Sequence, residues 1–196
     1  MFLSCRMKKA SLFAVSLAVA GMLTFNAYAA PAPVTSNAPT VALNATLSES
    51  IGLSVSASSV SFTLQNNQTV AGSAAVPITT NWVLNPSRTS VKLYGFFASS
   101  TAALTDGLTT PDLIPSSDVL GQVTTGTPTT FTAFSETASG FGAASASLLL
   151  FTQAISSTTP NFVGNRTDNL NLEIATPANL PAGSYTGTLT LQAQAN

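Results

Sequence analysis

The stretch LNLEIATPANLPAGSYTGTLTLQAQA, residues 170–195, decides the fold. Leu170, Leu172 and Ile174 alternate with polar residues, Pro177 to Gly183 (PANLPAG) turns the chain, and Tyr185, Gly187, Leu189, Leu191, Ala193 and Ala195 alternate again. A period of two sends successive side chains to opposite faces, which is the pattern of strands buried on one side. The prolines in between lack an N–H for a ladder and, with Asn179 and Gly183, supply turn chemistry.

The same pattern recurs upstream. Val41, Leu43, Ala45, Leu47, Ile51, Leu53, Val55 and Ala57 fall on odd positions, with Glu49 as the one interruption. A carboxylate is costly in a core, so the chain is expected to bend near Ser48-Glu49-Ser50. Parity flips after Ser58-Ser59, giving Val60, Phe62 and Leu64, which stop at the turn-prone Asn66-Asn67-Gln68. Further strands are expected over Ala74 to Leu84, from Val91 to Phe97, over Val119 to Val123, over Thr129 to Phe134 and over Ser147 to Thr152. The strand carrying Val91, Leu93, Tyr94, Phe96 and Phe97 is apolar on both sides, which places it centrally or under a covering loop. No long segment shows period 3.6 with helix caps. The expected fold is all-β, an immunoglobulin-like antiparallel β-sandwich of about 7–10 strands.

At the other end, Met7-Lys8-Lys9 gives a basic start, Leu12 to Leu23 is an uncharged apolar run, and Ala27-Tyr28-Ala29 offers a signal-peptidase site. The reading is a secretory signal over residues 1–29, a Pro-rich flexible leader over 30–40 and one β-sandwich domain over 41–196. Its location is then the periplasm, the cell surface or fimbrium, or the extracellular space. The apolar run is short for a membrane anchor, and no later run is apolar enough to cross a bilayer. Cleavage would remove Cys5 and half of the cations, leaving Arg88, Lys92 and Arg166 against seven carboxylates, a net charge of about −4. So sparse and acidic a chain makes no phosphate-binding face, so nucleic acid is excluded as a partner.

The closing stretch, with its Pro-Ala-Gly turn leading into an alternating last strand that has Tyr185 at its start, resembles the closing hairpin of secreted bacterial immunoglobulin-like domains. In particular it is similar to the pilin-like and spore-coat-protein-U-like subunits exported for chaperone–usher assembly. Typical members carry a disulfide, and the chain after residue 29 has no cysteine. The resemblance implies a mechanism in which the sandwich lacks a strand and a neighbour's N-terminal extension fills the groove. Val41, Leu43, Ala45 and Leu47, behind the Pro-rich leader, have the layout of such a donor strand; the plainer reading makes them the first strand of their own domain.

Catalysis has few instruments here. The chain has no histidine, so Ser-His pairs, Cys-His pairs and imidazole metal sites are absent. Asp106, Asp112 and Asp118 recur at six-residue intervals but match no calcium-loop pattern, and they read as turn residues bonding their own backbone. Arg88, Lys92, Arg166 and Asp168 read as solvated turn residues, with an ion pair among them as the further option. Trp82 is in phase with Val76 and Ile78, which places it inside rather than on a sugar-stacking platform. Phe131, Phe134 and Phe141 lie in Gly/Ser/Thr/Ala-rich sequence and are candidates for an exposed binding loop. The expectation is therefore a non-catalytic structural or adhesive subunit without cofactor or metal, whose partners are other protein subunits. The alternative is a monomeric module that binds polysaccharide or another surface.

Overall fold

The structure, a computed structural model, describes residues 31–196. The signal segment and its cleavage site lie outside the described residues. The chain divides into two units after Asn44. Residues 31–44 have no regular secondary structure, and the unit Ala45–Asn196 carries every strand.

Eleven strands and one 3-10 turn (Ser116–Asp118) form among the described residues. In chain order the strands are β1 (Ser50–Val55), β2 (Thr69–Ala71), β3 (Val76–Val83), β4 (Ser90–Phe96), β5 (Leu104–Thr105) and β6 (Leu113–Ile114). They continue with β7 (Val119–Val123), β8 (Thr132–Ala133), β9 (Ser147–Ala154), β10 (Val163–Ala175) and β11 (Thr190–Ala195). All named pairs are antiparallel. One sheet runs β1-β3-β10-β7-β8, with β2 extending the β3 side of β10, and the other runs β11-β4-β9.

The inner faces follow the alternation. Val76, Ile78, Trp82 and Leu84 of the β3 segment meet Val91, Leu93 and Phe97 of the β4 segment in one core with Leu150, Phe151, Leu170, Leu172 and Ile174. This is the all-β sandwich that the period-two pattern predicts. Trp82 is buried and its Nε1–H donates to the Asn161 carbonyl at 2.9 Å, so the amphipathic ring finds its polar partner inside. β4 is central in its sheet, and its outward Tyr94 and Phe96 lie against Phe141, which explains why that strand is apolar on both sides.

Four local expectations change. Leu170 to Ile174 and the last alternating run do not form a hairpin, because β10 and β11 belong to different sheets and the PANLPAG link carries the chain across. The last strand starts at Thr190 rather than Tyr185, since Thr186 bridges Thr105 and a Cβ on Gly187 would collide with the Ala103 carbonyl. That close approach pulls the chain off the β4 ladder until it has passed. The Val60-Phe62-Leu64 run keeps alternate burial but forms no ladder. Arg166 and Asp168 are mid-strand in β10 with Asp168 buried, not solvated turn residues.

Glu49 lies in irregular chain immediately before β1, and neither a bend nor a bulge is seen there. Its carboxylate accepts from the Asn85 N–H at 2.7 Å and from Arg88 Nε and Nη2 at 3.0 and 2.8 Å. The Arg88 hydrogen bonds, then the Asn85 N–H, hold its pKa well below the usual carboxylate range, at about 2. The folded value lies below the unfolded one near 4.5, so the ionised pair stabilises above that pH. That contribution disappears as pH falls from about 4.5 through the folded value near 2. Arg88→Gln is expected to return the Glu49 titration toward 4.5, as followed by side-chain carboxyl NMR.

Candidate functional site

A groove of about 1180 Å³ lies along one side of the sandwich. It exists because the two sheets are unequal: the three-stranded sheet ends at β11, and among the described residues no further strand continues it. Val76, Phe97, Val119, Leu172 and Ile174 of the core form its floor.

Two extended segments form the walls. On one side, Ala57, Val60, Phe62 and Leu64 are half-buried while Ser58, Ser59, Ser61 and Thr63 are exposed. This segment is a strand in side-chain alternation without a ladder partner. Its main chain is tied to the body at Ser61, whose carbonyl accepts from Ser73 N–H at 2.9 Å and whose N–H donates to Ser73 Oγ at 3.1 Å. Gly72 lets it lie close, since a Cβ there would stand 2.5 Å from Val60 Cγ1.

The opposite wall is Leu180 to Leu191. Tyr185 packs at its start and donates its hydroxyl back to the Pro181 carbonyl at 2.8 Å, a contact like the tyrosine corner of immunoglobulin-type sandwiches. Burial first, then Asp112 and Asp106, hold the Tyr185 pKa above its ordinary value, which keeps the hydroxyl a donor. Farther along, Asn196 and Ser90 exchange both main-chain bonds, so by antiparallel alternation Thr190, Gln192 and Gln194 face β4. The N–H and C=O groups of Leu191, Ala193 and Ala195 point to the open edge, and among the described residues they have no partner there. Leu189 and Leu191 turn their side chains toward the groove. The arrangement offers apolar subsites below and unpaired main chain at the rim, which suits an extended peptide.

The residues singled out by sequence are distributed differently. Val41, Leu43 and Leu47 are 82%, 91% and 84% exposed, Ala45 is exposed, and none is in a strand. The first strand of the domain is therefore Ser50–Val55, not Val41–Leu47. Phe134 was expected in an exposed loop but is fully buried, with its ring 5.2 Å from Phe97 in an edge-on pair. Phe141 is half-buried, stacked on Phe96 at 5.8 Å and edge-on to Tyr94 at 5.4 Å. Phe131 is half-buried and joins neither group, so the three phenylalanines do not share one face.

Asp106 Oδ1 accepts from the N–H groups of Leu108 and Asp112, the backbone-bonding turn role. Among the described residues, no group of three or more His, Cys, Asp and Glu side chains comes together, and no helix is long and apolar enough to cross a membrane.

Sequence reasoning did not locate the lining of the groove, which only the resemblance implies, and it placed the Arg166–Asp168 pair in solvent rather than in a buried polar cluster. Arg166 Nε and Nη2 meet Asp168 Oδ2 and Oδ1 at 2.6 and 2.9 Å, and Thr125 Oγ1 donates to Asp168 Oδ1 at 2.5 Å. The guanidinium lies 4.6 Å from the Phe151 ring centroid and also donates to the Thr125 carbonyl, which pins the turn after β7. The available signal was parity, since Arg166 and Asp168 share the even phase of Leu170, Leu172 and Ile174.

Comparison with known proteins returns nothing: no family model matches the chain, and no curated protein and no solved structure matches it.

Proposed function

We propose that the chain is an exported, non-catalytic structural or adhesive subunit that binds other subunits by strand addition. The groove accepts an extended strand between the Ala57–Leu64 wall and the open edge of β11. The strand offered to it is the N-terminal segment of another subunit, with Val41, Leu43, Ala45 and Leu47 as the alternating apolar side chains. One observation carries the reading: a groove with apolar side chains on its floor, at whose rim the open edge of β11 begins with the unpaired main chain of Leu191. The exposure of the donor residues supports the other half, because Val41, Leu43 and Leu47 are uncovered among the described residues.

The chain beginning at Ala30 is expected to give ladders that resist detergent until heated, because inserted strands dissociate slowly. Deleting residues 30–47 is expected to abolish them, and so is Leu189→Arg, which places a charge in the groove. A monomer that is unchanged by either variant refutes strand addition. A second reading, a monomeric module binding polysaccharide or another surface, draws on the stacked Phe96–Phe141 pair. Retention on a polysaccharide column that is lost in Phe141→Ala would favour it.

A further inference from the structure

The larger sheet has an open edge of its own at β1, beside the groove, whose lining includes Leu53 and Val55. β1 is its outermost strand and pairs only with β3. Ser56 N–H donates to the Pro77 carbonyl in continuation of that register, so the even residues of β1 bond to β3. The N–H and C=O groups of Ile51, Leu53 and Val55 therefore face outward along the free edge.

Nothing guards this edge. SIGLSV contains no charge, no proline and no bulge, which are the usual means of preventing edge-to-edge pairing. The nearest charge, Glu49, is already neutralised by Arg88. Ile51 and Val55 turn inward, yet they remain 38% and 43% exposed although β11 of the smaller sheet lies near β1.

The edge is also complementary to itself. In an antiparallel pairing centred on Leu53, Leu53 faces its own counterpart and Ile51 faces Val55 of the second copy. These are the outward-bonding positions, so about six main-chain bonds form with every donor matched to an acceptor. The exposed apolar pair meets on the inner face. On the outer face Gly52 meets Ser54 of the second copy, and both are small; a Cβ on Gly52 touches nothing within 4 Å. A slip by one residue would place inner residues against outer ones, so the apolar pattern sets the register.

We propose that a second copy of this chain adds to the open edge of β1 about a two-fold axis at Leu53, making one continuous sheet across both copies. This interface goes beyond the proposed function: it uses the outward main chain of β1, whose Leu53 and Val55 also line the groove, and not the donor segment before residue 48.

The chain beginning at Ala30 has no cysteine, so single thiols report the geometry. Positions 52 and 54 form a non-hydrogen-bonded cross-pair with Cα atoms about 4.5 Å apart, within disulfide range. Position 52 in one copy and 52 in the other lie on a diagonal, about 7–8 Å apart. Mixing differently tagged Gly52→Cys and Ser54→Cys chains under mild oxidant is expected to give the mixed disulfide at least fivefold above either homodisulfide. Adding Val55→Pro, which deletes an outward N–H and spares the β3 ladder, is expected to reduce that product tenfold or more. Deleting residues 30–47, which removes the donor strand and leaves β1 whole, is expected to leave it unchanged, so failure of strand addition and failure of this interface read differently. Equal yields of mixed and homodisulfides, no response to Val55→Pro, or loss of the mixed product on deletion of residues 30–47 would each overturn the proposal.

Discussion

Phe134→Ala is expected to lower the free energy of unfolding by about 3–5 kcal/mol, the range for truncating a fully buried phenylalanine. The ring fills a slot built from both sheets. A Cβ on Gly95 of β4 would lie 2.9 Å from Phe134 Cε1, and one on Gly121 of β7 would lie 3.1 Å from Cε2. Glycine on both sides allows the aromatic plane to sit directly on backbone, while Phe97 packs on it edge-on. Backbone cannot follow a shrinking side chain as flexible neighbours can, so most of the cavity stays open. For a domain of this size the melting midpoint falls by roughly 10 °C. Urea unfolding and calorimetry measure both; a loss below about 1 kcal/mol would mean that the slot refills. The expectation also bears on the binding reading, because a Phe134 variant that loses retention on polysaccharide has lost its fold first.

Arg166→Met ranks beside it, with an expected loss of about 3–5 kcal/mol. The figure follows from what remains. The Asp168 side chain is only 2% exposed, and without the guanidinium it keeps a single hydroxyl donor, Thr125, inside the sandwich. The turn after β7 also loses its tie through the Thr125 carbonyl, and Phe151 loses the cation above its ring. The double variant Arg166→Met/Asp168→Leu is expected to recover most of the loss, since removing both charges removes the desolvation cost along with the attraction. A double-mutant cycle in urea decides it; additive losses from the two single changes would mean that the residues do not act as a pair.

Much of the sandwich was legible because alternation is a local record of burial. Val119 to Val123 is a strand with the expected bounds, and Ala74 to Leu84 and Ser147 to Thr152 become β3 and β9 with small shifts at their ends. The polar content of β10 hid its length, since Arg166 and Asp168 look like surface residues until their phase with Leu170 is followed. Phe134 misled for the opposite reason. Its Gly-, Ser- and Thr-rich surroundings suggest exposure, whereas two distant glycines are what allow it to be buried. The groove left the weakest trace. Val60, Phe62 and Leu64 carry a strand's pattern, but whether a strand has a partner is not a property of its own residues.

The place of β11 also has a consequence in time. Its partner β4 spans Ser90–Phe96, whereas β11 is Thr190–Ala195, so β4 emerges from the ribosome long before the strand that closes its flank. The covering Phe141 also arrives later than β4. Contacts this distant in sequence fold slowly, and in the interval an apolar strand with a free edge is exposed to other chains. During synthesis the chain therefore passes through a stage at which its central strand is its most adhesive part, and the last six-residue strand ends that stage.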